Sequence, residues 1–522
     1  MSQTTTKEFG KWRSMLWPIH SFELKKFLPM FFLFFFINFN YTILRDTKDT
    51  LIVTATGAET IPFLKFWGVV PGAIIFMLIF TKLSNVVRRE RLFMGLMAFF
   101  GVFFGLYATV LYPNRDAIAP IALTNWMYDH FPQGLKGLVG MVRYWPSSLF
   151  YIMAELWGSA AISLLFWGFA NQITKVAESK RFYALFGIGA NLAMFPSGML
   201  IKRFAGIKER LPAGVDAWGV TLLYTMGAVV VACAAAIAIY WWINKEVLTD
   251  ARFYDPNELK KEKKSKPKMS IKDSLLFLLR SPYLGCIAML VIGYGMSINL
   301  VEVTWKSQLK LQYPNPNDYQ NFMGSFSMFT GGLTLFMMLF VGGNVIRKLG
   351  WGVGAMFTPV VLAITGVAFF AFVVFSEQLS GWISMLGTSP LMLAVIFGMI
   401  QNIMSKATKY SMFDPTKEMA YIPLDSEVKL KGKAAIDVVG ARLGKSGGAI
   451  VQQGLLVLFN ASTIVTVAPY IGVILVAVLA GWIVAARALS KRFAELTAQK
   501  EKEAQEAALS SKMEPATSAP QS

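Results

Sequence analysis

Charged side chains recur inside stretches that otherwise have the length and apolarity of membrane-spanning helices: Arg45 and Lys48, Glu155, Glu302 with Lys306, and Asp437, Arg442 and Lys445. A charge at the centre of a spanning helix costs roughly 2.5–3.5 kcal/mol on insertion scales, so a retained one usually faces a polar cavity and handles a solute. Asn38, Tyr41 or Thr42, Arg45 and Lys48 or Asp49 recur three or four residues apart, which sets them on one helical face. Gly295, Asn299, Glu302 and Lys306 repeat that spacing in a later span. A plainer reading also fits: Glu302 and Lys306 neutralise each other one turn apart, and residues 45–49 form a solvated helix end. Ser148, Glu155, Ser159 and Ser163 define a third face. Glu155 has no base within a turn, so it needs a partner from another helix, a proton or water.

The stretch from Gly440 to Ser446 combines close-packing glycines, continued at Gly448, with Lys445. It invites a phosphate-loop reading, but three residues separate its glycines where that motif needs four, and no apolar strand precedes it. Lys445 is therefore expected to act as a point charge on phosphate oxygens inside a cavity. Fixed cations and aromatic residues facing one cavity suit an anion with a stackable part, Tyr41 and Trp157 being candidate stacking residues. Sugar phosphates and dicarboxylates fit the same charges.

Of the chain's 522 residues 55% are hydrophobic, and the net charge is +19. Its basic residues cluster at helix ends, as positive-inside loops require, and form no soluble nucleic-acid surface. Cys233, Cys286, His20 and His130 are the only cysteines and histidines. They leave no material for a disulfide framework, a Cys/His metal site or a histidine triad. A membrane enzyme acting on a phosphorylated substrate would need an acid cluster or a nucleophile with its base, and neither is evident.

The elements that must position these residues are apolar runs long enough to cross about 30 Å of hydrocarbon. They begin near Phe27, Phe63, Leu92, Ser147, Tyr183 and Ala217, then near Leu284, Phe322, Trp351, Leu391, Ala434 and Ile464. The expectation is an all-α membrane protein of twelve spans in two six-helix pseudo-repeats, major-facilitator-like, with its solute site between the halves. The halves are residues 1–243 and 275–490, joined by a basic cytoplasmic linker at 244–274 and followed by a partly disordered cytoplasmic tail at 491–522. Positive charge at Arg88-Arg89, Lys180-Arg181, Arg347-Lys348 and Lys429 to Lys433 puts both termini in the cytoplasm. Lys202, Arg203, Lys208 and Arg210 fall on the wrong side. The first apolar run has no signal-peptide cleavage site, and the N-terminus is too short for a plastid transit peptide, which favours a bacterial inner membrane.

The segments Asn40 to Asp49, Ala154 to Ser159, Asn299 to Lys306 and Lys431 to Val439 closely resemble the nucleotide transporter family, the ATP/ADP translocases of obligate intracellular bacteria and of plastids. The resemblance runs over about residues 25–490 and is to the bacterial, chlamydial form. It implies an antiporter that imports host ATP in exchange for ADP with phosphate through a twelve-helix facilitator-like fold. Alternating access between the halves is expected, without metal or cofactor and with the monomer as the functional unit. It also implies functional charges at Lys65, Glu155, Glu302 and Lys445. With the helical faces above, the expected substrate contacts are Lys65, Lys445, Arg45, Tyr41 and Asn299. The expected coupling or gating residues are Glu155, Glu302, Lys306 and Asp437. Glu155 and Glu302 are expected to hold the substrate cations when the site is empty. A proton-coupled nucleoside triphosphate importer is the alternative within transport, because family membership alone leaves the substrate open.

Overall fold

The computed structural model describes residues 17–250, 252–253, 280–385, 387–436 and 440–513. The first six long helices are α1 (Leu24–Thr56), α2 (Thr60–Val86), α3 (Arg89–Leu111), α4 (Trp145–Ile173), α5 (Val176–Ala205) and α6 (Ala217–Val247). After them come α7 (Pro282–Gln312), α8 (Pro316–Leu349), α9 (Trp351–Val374), α10 (Pro390–Met419), α11 (Ala441–Leu458) and α12 (Ala468–Met513). Among the described residues there is no strand, and eleven helices are long and apolar enough to cross a membrane. The odd one is α11, whose apolar part is only Ser446–Leu458. A span was expected to begin near Ala434, but the chain there ends a separate polar helix, Ser426–Ala435, and Arg442 and Lys445 occupy the first turns of α11. Residues 437–439, with Asp437, and most of the expected linker lie outside the described residues.

Helix starts follow local chemistry. Ser281, Asn315 and Ser389 each cap a helix whose first residue is proline, with side-chain oxygens accepting from Leu284 N, Asn317 N and Met392 N. Proline at that position has no amide proton to leave unpaired. Outward faces are apolar, with Ile74, Leu78, Val231 and Ile364 more than half exposed, as lipid contact requires.

Packing repeats with a six-helix offset. Helix α1 contacts α4, α5 and α6, while α7 contacts α10, α11 and α12; the α3/α6 pair has its counterpart in α9/α12. Among the pairs joining the halves are α5/α8, α2/α11, α1/α8 and α1/α7. Close approach in the first pair needs Gly198 and Gly324, since a Cβ on Gly324 would sit 2.8 Å from the carbonyl oxygen of Gly198. The expected α11 glycine face packs on α7, where a Cβ on Gly295 would meet Gly444 Cα at 2.8 Å.

The α5/α8 and α2/α11 pairs are not equally closed. At the face carrying the long connection between α3 and α4, here the loop face, Gln453 Nε2 donates to Pro62 O at 2.7 Å. Gly134 N donates to Asn460 Oδ1 at 3.0 Å. Lys208, one of the charges on the unexpected side, pairs there with Asp318. At the opposite, terminal face, where the N-terminal turn and α12 emerge, the described pairs Lys26 with Glu178, Arg181 with Glu23, Lys409 with Asp414 and Lys433 with Glu418 each stay within one half. Val70–Val86 of α2 contains no buried residue. The halves are therefore clasped at the loop face and parted along α2 and α11 toward the terminal face.

Candidate functional site

The charged face of α1 is buried against the other half and does not end in solvent, because α1 continues to Thr56 beyond the charges. Asp46, Lys48 and Asp49 are each under 5% exposed. Arg45 Nε donates to Asp46 Oδ1 at 2.9 Å and Arg45 Nη2 to Ser327 Oγ at 2.6 Å. Ser327, on α8, donates in turn to Asp46 Oδ2 at 2.5 Å. One turn further, Gln320 Nε2 donates to Thr47 Oγ1 at 3.1 Å, and Thr50 donates to Gln320 Oε1.

Beside this polar seam lies an ion-pair chain that crosses the halves. Lys306 on α7 reaches Asp49 at 2.8 Å and Glu302 at 2.9 Å. Lys48 donates to Asp49 at 2.8 Å, lies 3.1 Å from Glu155 on α4 and sits 4.0 Å from the centre of the Tyr151 ring. The i, i+4 neutralisation of Glu302 by Lys306 is real, but Lys306 shares itself with a carboxylate of the opposite half. Burying such groups is costly, and each ion is tolerable only while its partners stay in place. Glu155 keeps 32% of its side chain exposed, so the chain is open to solvent at that end.

Lys65 lies in the π-helical turn Leu64–Val69 of α2, is half-buried, and donates to Asn299 Oδ1 on α7. Asn299 is held by its own donation to Gly295 O at 2.8 Å. π-Helical turns widen a helix locally and are frequent at functional positions; another, Gly158–Phe166, follows Glu155 on α4. The Tyr41 ring lies beside Gly158.

The structure thus brings together Arg45, Lys65, Glu155, Asn299, Glu302 and Lys306, with Tyr41 at the margin. The pairing differs from expectation: Glu155 and Glu302 hold Lys48 and Lys306, while Arg45 is held by Asp46 and Ser327, and Lys65 by a neutral amide. Trp157 is not a cavity residue. It is fully buried, donating to Ile37 O at 3.1 Å. Lys445 lies on α11 between Gly444, packed on Gly295, and Gly448, packed on Asn299; its side chain is outside what the structure describes, as is all of Asp437. Ser327, Gln320, Tyr151 and Lys406 are interior polar residues that the spacing of single helices did not single out. Among the described residues no three His, Cys, Asp or Glu side chains are grouped to hold a metal ion.

The profile described as TLC ATP/ADP transporter matches residues 2–493. The chain is 58% identical over 506 residues to an ADP,ATP carrier protein 1 from Chlamydia pneumoniae, covering 96% of this chain and 98% of that one. It is 49% identical over 482 residues to a chloroplastic ADP,ATP carrier protein 1 from Arabidopsis thaliana, covering 92% and 76%. In fold it is similar to a crystal structure of a bacterial homologue of the iron transporter ferroportin in its inward-facing state, with a TM-score of 0.50, 10% identity, and 89% and 100% of the two chains covered. On these matches and on its multi-pass, major-facilitator-like architecture, the chain belongs to the TLC ATP/ADP transporter family, carriers and not enzymes.

Proposed function

We propose that the chain exchanges ATP for ADP across a bacterial inner membrane, importing ATP, with phosphate accompanying ADP and both termini in the cytoplasm. The observation that carries this reading is the ion-pair chain through Lys306, which joins α1 to α7 inside both helices, two turns before each one ends. A polyphosphate entering between the halves competes with Asp49, Glu302 and Glu155 for the cations those carboxylates now hold. Lys65 is already free to bond phosphate oxygens, because its present partner is a neutral amide. Lys445, on the helix packed against Asn299, is a further candidate phosphate contact, Tyr41 a candidate for the base, and Asp437 a candidate gate.

The unequal closure of the halves supports alternating access. Rocking about the continuous α5/α8 contact would open the loop-face clasp at Pro62, Gln453, Gly134 and Asn460 and close α2 on α11. An empty carrier must break the Lys306 pairs or carry them through the movement, whereas a bound polyphosphate replaces them, which favours obligate exchange. The described members of the cluster all come from one chain, which is consistent with function as a monomer. ATP carries one more negative charge than ADP, and phosphate co-transported as the monoanion H2PO4− offsets the difference. Radiolabelled ATP uptake into liposomes preloaded with ADP, with ADP and phosphate, or with nothing tests the reading. Uptake that needs internal ADP and is raised by internal phosphate is expected. Equal accumulation in empty vesicles would instead mark a proton-coupled importer.

A further inference from the structure

Lys406 is the interior cation left over. It lies on α10, part-buried, with no hydrogen bond or ion pair among the described residues, its ammonium 4.6 Å from the centre of the Phe326 ring. Arg45, from the opposite half, approaches the same ring at 5.9 Å. One aromatic side chain on α8 thus carries a cation from each half. Five described cations, Arg45, Lys48, Lys65, Lys306 and Lys406, face four carboxylates, Asp46, Asp49, Glu155 and Glu302. All four carboxylates are already taken by Arg45, Lys48 and Lys306. A ring face compensates a desolvated ammonium less fully than an anion does. Five residues before Lys406 on the same helix, Gln401 is 1% exposed with both ends of its amide unpaired.

We propose that Lys406 and Arg45 form a phosphate-binding position between the halves, occupied by the terminal phosphoryl group of the nucleotide. The proposal rests on the nucleotide reading above and adds to it a position at α1, α8 and α10, apart from Lys65 and Asn299 at α2 and α7. Its guanidinium and ammonium come from different halves, so a phosphoryl group held by both draws α10 toward α1. A nucleoside monophosphate anchored elsewhere does not reach it. The position therefore distinguishes di- and triphosphates from monophosphates.

The test is equilibrium binding of ATP, ADP, AMP, tripolyphosphate and inorganic phosphate to the full-length protein in nanodiscs, for the parent, Lys406→Gln and Lys406→Arg. Monodispersity and thermal unfolding establish that each variant is folded. Lys406→Gln is expected to weaken ATP, ADP and tripolyphosphate binding by about tenfold or more, the scale of one charged hydrogen bond, and AMP binding by less than about twofold. Lys406→Arg should restore most of the loss. Loss only of the effect of added phosphate on ADP binding would overturn the assignment to the nucleotide and make free phosphate the occupant. Unchanged binding of every ligand, or an equal loss for AMP, would overturn the position altogether. A parent that binds tripolyphosphate through Lys406 but no adenine nucleotide would refute the nucleotide reading and leave the position standing.

Discussion

Lys306 is the residue on which the interior charges turn, because it answers carboxylates on both halves and is 1% exposed. Lys306→Ala leaves Asp49 and Glu302 short of a cation in a buried setting, and removing one member of such a pair typically costs about 3–5 kcal/mol. Thermal unfolding in detergent should show that loss, and adding Asp49→Asn and Glu302→Gln should recover a large part of it, since the three groups act as a unit. Glu155→Gln should behave differently. Lys48 keeps Asp49, and Glu155 is a third exposed and solvent-screened, so stability should change by less than about 1 kcal/mol while exchange falls; unchanged exchange would remove Glu155 from the transport cycle. The stripes through Arg45 and Glu302 were legible because helical spacing is a local property. Their partners were not, because the approach of Lys306 to Asp49 and of Arg45 to Ser327 depends on how two halves pack. Lys406 was not legible as an interior residue, because the apolar run of α10 stops near Ile400 while the helix continues to Met419.

At the scale of elements, the corner between α1 and α2 ties the charged face of α1 to Lys65. Gly57 has φ 104°, and a Cβ there would strike the Glu59 carboxylate. Gly57→Ala should cost about 1–2 kcal/mol or more, visible as a lower unfolding temperature. Burial holds Glu59 above the ordinary glutamate value of 4.5, against its own backbone hydrogen bond and the pull of Lys310 and Lys136. The folded protein binds this proton more tightly than the unfolded chain, so the group's favourable contribution is present below pH 4.5 and is lost as pH rises through its folded value. Glu59→Gln should accordingly unfold at a higher temperature than the parent at neutral pH, and the two should converge below about pH 4. Most helix starts were readable, as at Ser281-Pro282 and Ser389-Pro390, where cap and proline adjoin an apolar run. The start of α11 was not, because Arg442 and Lys445 dilute its hydropathy and the preceding turns belong to a separate polar helix.

For the whole molecule, an all-helical, major-facilitator-like membrane fold was legible from the apolar runs, eleven of which are spanning helices among the described residues, whereas the unequal closure of α2/α11 against α5/α8 has no counterpart in sequence periodicity. Related packings of the same helices differ only in tilt, and a tilt leaves the apolar pattern unchanged. If the loop-face clasp must open in each cycle, joining Pro62→Cys to Gln453→Cys with a short bismaleimide should stop exchange and spare ATP binding from the terminal face. Cys233 and Cys286 would first be replaced by alanine. Full exchange by quantitatively crosslinked protein would show that the clasp need not open. The central claim is that cations between the two halves grip the polyphosphate inside the membrane. Its most direct test is an experimental structure of the reconstituted protein with ATP. Phosphate oxygens are predicted within hydrogen-bond reach of Lys65, between α1 and α7; a triphosphate lodged on the basic terminal face, with the Lys306 pairs and the Lys65 bond to Asn299 intact, would contradict the account.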